Sequence, residues 1–282
     1  MKYLTKITFL FALFASLQIG AQTVDCFIKE NGTKIDVYVV ANGGSFLTEQ
    51  WNDMVITLSV PIAGADLGLA FDGDADRCFL VDEKANAVNP SDLTSLIAQR
   101  ELKKNPGSTI IYNLISSRAV LEVIEENGGV GLRSRVGHSY IKKMMAESKA
   151  IFGGEHSGHF YFDDFWRADS GALAALHAIA ALGESDKSMS EILKPYQRYC
   201  LSGEINSKVA DAQAATALVE STYSSMAGVT TDHLDGLTVN GDTWWFNLRP
   251  SNTEPLLRLN VEAKSPERMQ ELRDEVLALI RG

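Results

Sequence analysis

The periodicity of apolar and polar residues differs between two parts of the chain, and it changes near residue 64. Between about 24 and 63, stretches such as KIDVYVVANGG alternate at every second position, which is typical of strands joined by Gly-rich turns. From about 65 to 197, short apolar strands alternate with segments of helical period. This strand–helix order predicts an α/β domain with a mainly parallel sheet.

Local signals place the elements of this α/β part. The strand ADLGLAF enters an aspartate-rich loop and the strand CFLVDE leaves it. A Pro-Ser pair at 90–91 opens a helix, and the Asn-Pro-Gly run at 105–107 ends it. The buried strand STIIYNLI follows, then a helix that Ser116 or Ser117 caps. Later helices are predicted after VGHS, at about 169–182, and at the capping box of 188–191.

Beyond about residue 198 the order of elements changes. The pattern predicts a strand near 201–208, a helix at 211–226, strands around 236–247 and 255–262, and a closing amphipathic helix after Ser265. This α+β order predicts a separate small C-terminal domain.

Composition restricts the class of protein. The chain has 282 residues, 45% of them hydrophobic, and a formal net charge of −10. These values are typical of a globular protein, and the acidic balance argues against a nucleic-acid-binding one. Cys26, Cys78 and Cys200 are far apart and odd in number, which predicts reduced thiols rather than a disulfide framework.

The N-terminus has the layout of a secretory signal peptide. Lys2 and Lys6 precede an apolar run at 7–17, and small residues precede a candidate cleavage site after Ala21. The run is too short for an ordinary transmembrane helix, and a buried first helix is the alternative. We therefore expect an exported chain with a leader at 1–21 and no stable membrane span after its removal.

The stretch FDGDADR places three carboxylates at alternate positions and follows them with Arg77. Hard oxygen ligands of this kind suit a divalent cation, so Asp72, Asp74 and Asp76 predict a metal site, with Mg²⁺ ahead of Ca²⁺. An EF-hand loop is one alternative, but it needs glycine where Arg77 stands and helices where the flanks predict strands. A solvated acidic turn is the other alternative.

The stretch GGEHSGHF carries Glu155, Ser157 and His159 at alternate positions. Alternate side chains of an extended segment point the same way, so these three can converge on one ligand. A carboxylate and a hydroxyl suit a polyol, and the histidine suits a phosphate. A polar turn is the alternative interpretation.

The stretch LRPSNTEP groups a guanidinium, two hydroxyls and an amide, on Arg249, Ser251, Asn252 and Thr253. Such a loop predicts an oxyanion site, because the guanidinium fork and backbone N–H groups both bind phosphate oxygens. The alternative is an ordinary turn in which Arg249 pairs with Glu254 or Glu262.

The stretch SRVGHS adds Arg135 and His138 directly before a predicted helix. Helix N-termini attract anions through their unsatisfied N–H groups. We therefore expect these two side chains to lie near a phosphate.

Together, FDGDADR, VGHS, GEHSGH and RPSNTEP resemble the α-D-phosphohexomutases, most closely their bacterial phosphomannomutase/phosphoglucomutase branch, from about residue 65 onward. The resemblance implies that the aspartate loop binds Mg²⁺ through Asp72, Asp74 and Asp76. It implies a sugar loop with Glu155, Ser157 and His159, and a loop for the non-reacting phosphate with Arg249, Ser251, Asn252 and Thr253. Residues implied in catalysis are Arg77, Arg135 and His138.

The implied reaction is an intramolecular phosphotransfer of the isomerase class. A phosphoryl group moves between O1 and O6 of a mannose or glucose phosphate through a bisphosphate intermediate. Such chemistry depends on positioning and charge neutralisation, which a metal, a positive rim and a sugar clamp provide.

Family members carry a phosphoserine in a motif like Thr-Ala-Ser-His-Asn-Pro, and these 282 residues contain no such motif. We therefore expect no turnover by this chain alone, and a separate N-terminal half is a candidate partner. The predicted organisation is a leader at 1–21, an unassigned β-rich segment at 22–64, a remnant of domain II at 65–90, domain III at 91–197 and domain IV at 198–282.

Two other functions stay open from the sequence. One is a non-catalytic sugar-phosphate-binding module, and the other is a truncated fusion product without a selected function. The resemblance favours the cytoplasm, whereas the leader predicts export to the periplasm or medium.

Overall fold

The computed structural model describes residues 22–28, 34–41, 64–251 and 256–282. The predicted leader at 1–21 lies outside these ranges, as do Asn252 and Thr253 of the predicted phosphate loop. Among the helices of the described ranges, none combines the length and apolar character that a membrane crossing requires.

The first sheet contains the aspartate loop. Its four strands, in the order β1-β2-β3-β4, are β1 (Gln22–Ile28), β2 (Lys34–Ala41), β3 (Leu67–Phe71) and β4 (Cys78–Asp82). The pairing of β2 with β3 is parallel and the other two are antiparallel. Every residue of β3 and β4 is buried, so the loop between them is held at both ends.

The second sheet has five strands in the order β6-β5-β7-β8-β9. They are β5 (Thr109–Asn113), β6 (Val130–Ser134), β7 (Phe152–Gly154), β8 (Phe160–Phe162) and β9 (Ala168–Asp169). The strands β6, β5 and β7 are parallel, and β8 and β9 add an antiparallel edge. The sequence pattern missed β6, because VGLRS is an edge strand with few buried positions.

Helices surround this sheet, which confirms the α/β class. They are α1 (Pro90–Lys104), α2 (Arg118–Glu126), α3 (His138–Ser148), α4 (Gly171–Gly183) and α5 (Met189–Leu193). Asn89 caps α1 and Ser117 caps α2 by accepting backbone N–H groups. The predicted capping box of Ser188 and Glu191 is present at α5.

The C-terminal part is an antiparallel sheet with two helices, in the order β10-β14-β13-β12-β11. Its elements are β10 (Cys200–Lys208), α6 (Ala212–Tyr223), β11 (Thr230–Asp232), β12 (Leu237–Asn240), β13 (Trp244–Pro250), β14 (Leu256–Ala263) and α7 (Pro266–Arg281). Alternate residues such as Phe246, Leu248 and Leu259 pack with α7 in the core. The residues between them, such as Asn247 and Arg249, belong to the opposite, polar face.

Arg118 and Glu262 join the two parts. The Arg118 guanidinium donates to the backbone oxygens of Gly241 and Asp242 at 2.9 Å and of Trp244 at 3.1 Å. Glu262 accepts the Arg118 backbone N–H at 3.1 Å and the Trp245 indole N–H at 2.7 Å. These hydrogen bonds form a joint between the α/β part and the C-terminal sheet.

Candidate functional site

The aspartate loop is the turn between β3 and β4, and Arg77 organises it. Arg77 Nε lies 2.5 Å from Asp72 Oδ2, and the Arg77 backbone N–H donates to Asp72 Oδ1 at 3.2 Å. Ala75 adopts a left-handed conformation with φ of 59°, and its N–H closes the turn onto the Asp72 carbonyl at 3.1 Å. This tight turn brings the following carboxylate back toward Asp72.

The three carboxylates converge as a divalent cation site requires. Asp72, Asp74 and Asp76 each offer an oxygen, and these oxygens lie within 4.8 Å of one another. Asp76 Oδ1 is buried and accepts no hydrogen bond from the described residues. Burial raises the pKa of Asp76, the charge of His159 opposes this rise, and the charges of Asp72 and Asp74 add to it, so the pKa stays above its usual value. Arg77 Nε lies 4.0 Å from Asp76 Oδ1, too far for a hydrogen bond, and a carboxylate oxygen without a donor beside two other carboxylates fits a hard cation such as Mg²⁺.

Arg77 keeps one of these carboxylates ionised. Burial raises the pKa of Asp72, but the hydrogen bonds and the charge of Arg77 outweigh it, and the pKa stays below its usual value. Asp72 is therefore ionised even without a bound cation, and it contributes a negative charge to the group of three carboxylates.

The predicted sugar loop packs directly on the aspartate loop. Arg77 and His159 form an isolated antiparallel bridge, and the Cys78 N–H donates to the Gly158 carbonyl at 3.1 Å. His159 Nε2 lies 3.6 Å from Asp76 Oδ2, and His159 Nδ1 lies 3.0 Å from the Ser157 hydroxyl. The structure therefore brings His159 to the three carboxylates, with Ser157 hydrogen-bonded to its other ring nitrogen.

Glu155 lies in the same loop but is turned into the protein. Its carboxylate is 2% exposed and accepts the Tyr161 hydroxyl at 2.7 Å and the Gly137 N–H at 3.0 Å. Burial and the adjacent Glu155 raise the pKa of Tyr161 far above its usual value, so the hydroxyl stays protonated and donates. Glu155 thus ties the sugar loop to the start of α3.

Arg135 and His138 lie on either side of that connection. His138 is the first residue of α3 and is exposed. Arg135 lies 3.6 Å from Asp235 and stacks over the Tyr140 ring at 4.9 Å. Both side chains therefore lie near the surface next to Gly137, whose N–H binds Glu155.

The predicted phosphate loop begins at the end of β13. Arg249 is 7% exposed and lies 3.2 Å from Glu204 of β10. The expected alternative partner Glu262 is instead buried at the joint with Arg118, because it lies at the other end of the polar face. Ser251 follows directly and accepts a hydrogen bond from Arg258 at 3.2 Å.

The sequence pattern did not single out His156, which lies between the sugar loop and the C-terminal domain. Its Nδ1 is 3.0 Å from the Asn113 amide nitrogen, so Nδ1 accepts. Burial lowers its pKa to about 3, and the charges of Arg249, His159 and Arg258 add to the effect. His156 is therefore neutral at pH 7 and lines an interdomain cleft of about 630 Å³ with Glu204 and Asn260. The one sequence signal for His156 was its position within the GEHSGH stretch.

Comparisons with known families agree with this arrangement. The model for domain III of phosphoglucomutase/phosphomannomutase, an alpha/beta/alpha domain, matches residues 89–199. The model for the C-terminal domain of phosphoglucomutase/phosphomannomutase matches residues 204–279.

Individual relatives show the same similarity. The phosphomannomutases of Methanocaldococcus jannaschii and Escherichia coli K12 are 43% and 41% identical over 215 residues, which are 76% of this chain and 47% of each relative. A crystal structure of a phosphoglucomutase/phosphomannomutase family protein from Burkholderia thailandensis superposes with a TM-score of 0.72 at 27% identity, covering 83% of this chain and 50% of that one. The chain therefore spans about half the length of the curated relatives it matches.

Proposed function

Because the chain belongs to the phosphoglucomutase/phosphomannomutase family through its domain III and C-terminal domain, we propose that it supplies the metal, sugar and phosphate loops of a Mg²⁺-dependent phosphohexomutase. The reaction is the transfer of a phosphoryl group between O1 and O6 of a hexose phosphate. The observation that carries this proposal is the contact between the aspartate loop and the sugar loop. Arg77 and His159 form a backbone β-bridge, and the His159 ring lies 3.6 Å from the Asp76 carboxylate.

Each loop has a distinct task in this proposal. Asp72, Asp74 and Asp76 hold Mg²⁺, which when bound neutralises charge on the phosphoryl group. Arg77 keeps Asp72 ionised and oriented. Ser157 and His159 bind the sugar hydroxyls or a phosphate oxygen, and Glu155 fixes the loop that carries them.

The remaining positive groups bind phosphate. Arg249 and Ser251, with Asn252 and Thr253, hold the phosphate that does not react, because a guanidinium fork and hydroxyls match its oxygens. Arg135 and His138 lie on the surface beside α3 and guide the anion into the cleft. These roles suit a hexose that can carry a phosphate on O1 or on O6, such as mannose or glucose 1-phosphate and 6-phosphate.

Binding of glucose 6-phosphate to the full chain tests this proposal. We expect Arg249→Ala to weaken binding by about 1.5–3 kcal/mol, the range for hydrogen bonds to charged groups. Arg273→Ala is the matched control, because Arg273 pairs only with its neighbour Asp274 on α7 among the contacts described. Calorimetry with equal affinity for the parent and Arg249→Ala would defeat the phosphate-loop assignment.

Turnover is a separate test. We expect the 282-residue chain alone to show no mutase activity with glucose 1-phosphate, Mg²⁺ and a bisphosphate activator, because it contains no phosphoserine motif. Adding a separately expressed N-terminal mutase half should restore turnover. Activity of the chain alone that Asp74→Ala abolishes would contradict this expectation.

The same measurements separate the other functions. A non-catalytic sugar-phosphate-binding module would keep Arg249-dependent binding and show no turnover with any N-terminal half. Finding the mature chain outside the cell would favour that module and support the predicted leader. A fusion product without selected function would show neither binding nor turnover.

A further inference from the structure

Asn113 joins the end of β5 to the sugar loop. It is the last residue of β5 and is fully buried. Its amide nitrogen lies 3.0 Å from His156 Nδ1 and 3.5 Å from Glu155 Oε1, and its amide oxygen accepts the Ser116 hydroxyl at 2.8 Å. A carboxylate oxygen accepts and never donates, so Glu155 fixes the NH₂ group of Asn113 toward the sugar loop.

This contact decides which ring nitrogen of His156 holds the proton. Because the Asn113 NH₂ group donates to Nδ1, the proton of the neutral imidazole lies on Nε2. Burial and, after it, the charge of Arg249 lower the pKa of His156 to about 3, so the ring is neutral at pH 7. His156 therefore carries one uncharged N–H donor, at Nε2.

The cleft beside His156 has the size of a small-ligand site. Its volume is about 630 Å³, and its lining includes His156 and Glu204. Glu204 lies 3.2 Å from Arg249, so the cleft borders the start of the predicted phosphate loop. The described residues supply no hydrogen-bond partner for Nε2 of His156. The donor is therefore available to a ligand in the cleft.

The neighbouring carboxylate of the sugar loop is engaged inside the protein. Glu155 accepts the Tyr161 hydroxyl and the Gly137 N–H, whereas His156 lines the cleft. A hexose whose phosphate is bound at Arg249 extends into this cleft, next to His156. An uncharged donor suits a sugar hydroxyl or ring oxygen, because these acceptors carry no charge that a cation would attract.

We propose that His156 is a sugar-binding residue of the cleft, which donates from Nε2 to a hydroxyl or ring oxygen of the hexose phosphate, and that Asn113 is the positioning residue that keeps the proton on Nε2. The inference rests on the proposed function and deepens it. It gives the cleft a contact that recognises the sugar separately from its phosphate.

Calorimetry of the full chain with glucose 6-phosphate and with inorganic phosphate tests the role of His156. Inorganic phosphate fits the phosphate loop but has no sugar. We expect His156→Asn, whose amide reaches only as far as Nδ1, to weaken glucose 6-phosphate binding about two- to tenfold and to leave inorganic phosphate binding unchanged. His156→Gln, whose amide reaches as far as Nε2, should recover part of the loss. His233→Asn is the matched control, because His233 is exposed and pairs with Glu220.

Nitrogen NMR of the full chain with ring-labelled histidine tests the role of Asn113. At pH 8 the parent should show His156 protonated at Nε2 and not at Nδ1. Asn113→Asp replaces the donor by an acceptor, so the proton should move to Nδ1 and glucose 6-phosphate binding should weaken with it. If Asn113→Asp does not fold, Asn113→Leu replaces it. That variant frees Nδ1 and should show both tautomers.

The results separate this inference from the proposed function. Equal glucose 6-phosphate affinity in His156→Asn and the parent, or an equal loss for inorganic phosphate, overturns the sugar contact. A proton that stays on Nε2 in Asn113→Asp, or in Asn113→Leu where that variant replaces it, overturns the positioning role. In each of these cases, weaker binding of both ligands in Arg249→Ala still supports the phosphate loop. Unchanged affinity in Arg249→Ala defeats the phosphate loop itself.

Discussion

At the scale of single residues, Asp76 determines how the aspartate loop should respond to a cation. Its Oδ1 is buried without a hydrogen-bond donor among the described residues, and its pKa is raised by burial and by neighbouring carboxylates. An oxygen without a hydrogen-bond donor costs stability, and Arg77 Nε, 4.0 Å away, is too distant to donate to it. Removing the charge of Asp76 should therefore weaken cation binding without lowering the stability of the metal-free protein.

We expect Asp76→Asn to weaken cation binding without lowering stability in the absence of metal, because it removes a ligand and a repulsion together. Calorimetry should show weak Mg²⁺ binding by the parent, with Ca²⁺ and Mn²⁺ also accepted, and melting in chelator should show the stability. Asp186→Asn, at an exposed carboxylate, is the control. Equal cation affinity of Asp76→Asn and the parent would contradict the metal site.

Asp92 is a buried carboxylate with a consequence for the pH dependence of stability. It lies in the first turn of α1 and is 6% exposed, and burial raises its pKa to about 7, with a further rise from Glu262. The unfolded group titrates near 3.9. A raised pKa favours the neutral form in the folded state, so stability present below pH 4 is lost as pH rises toward 7.

We expect Asp92→Asn to match the parent near pH 4 and to exceed its unfolding free energy by about 1–4 kcal/mol at pH 8. The asparagine oxygen can still accept the Gln197 amide that binds Asp92 at 3.3 Å. Urea unfolding across this pH range is the measurement, with Asp164→Asn as an exposed control. If the difference in unfolding free energy between Asp92→Asn and the parent does not grow with pH, the raised pKa of Asp92 is refuted.

At the scale of elements, the start of α4 supports the aspartate loop. A Cβ on Gly171, the first residue of α4, would lie 2.5 Å from the Arg77 carbonyl oxygen and 2.9 Å from that of Ala75. Backbone atoms cannot move away as a side chain does. The helix therefore approaches the loop closely only because this position lacks a side chain.

We expect Gly171→Ala to lower the unfolding free energy by about 1–3 kcal/mol, as overpacking does, and to weaken cation binding by displacing the loop. Gly183→Ala is the matched control on the last residue of α4, where a Cβ would meet nothing within 4 Å. It should be neutral or stabilising by up to about 1 kcal/mol. Equal stability of the two variants would show that the close approach does not matter.

At the scale of the whole molecule, the joint between the two parts combines apolar packing with hydrogen bonds. Leu114 and Ile115 of the α/β part pack against Trp245 of the C-terminal sheet. Arg118 and Glu262 surround this apolar contact with hydrogen bonds across the joint. These contacts hold the C-terminal sheet against the α/β part.

We expect Arg118→Ala to cost about 2 kcal/mol at the joint, because carbonyl oxygens lose a charged donor. Urea unfolding by tryptophan fluorescence and by circular dichroism should coincide for the parent and separate for the variant. Arg100→Ala is the control, since Arg100 pairs with Glu184 within the α/β part at 2.7 Å. Coincident transitions in Arg118→Ala would show that the joint does not couple the two parts.

The sequence alone determined the fold class and most of the elements. Helix starts such as Pro90-Ser91 and the capping box of Ser188 and Glu191 are signals between neighbouring residues, so they can be recognised without tertiary contacts. The short motifs also pointed to the family, because each groups its chemistry within a few residues. Domain boundaries, site roles and the leader stay predictions.

Only the tertiary structure decided which distant residues meet. Glu204 reaches Arg249 across 45 positions of sequence, and strand register places Arg258 opposite Arg249. Register depends on the pairing of whole strands, which no local pattern records. The same holds for Glu155: alternation predicts that it shares a face with Ser157 and His159, and only the fold shows that it accepts the Tyr161 hydroxyl. Local periodicity predicts which side chains share a face of an element, and tertiary packing determines which distant residues that face contacts.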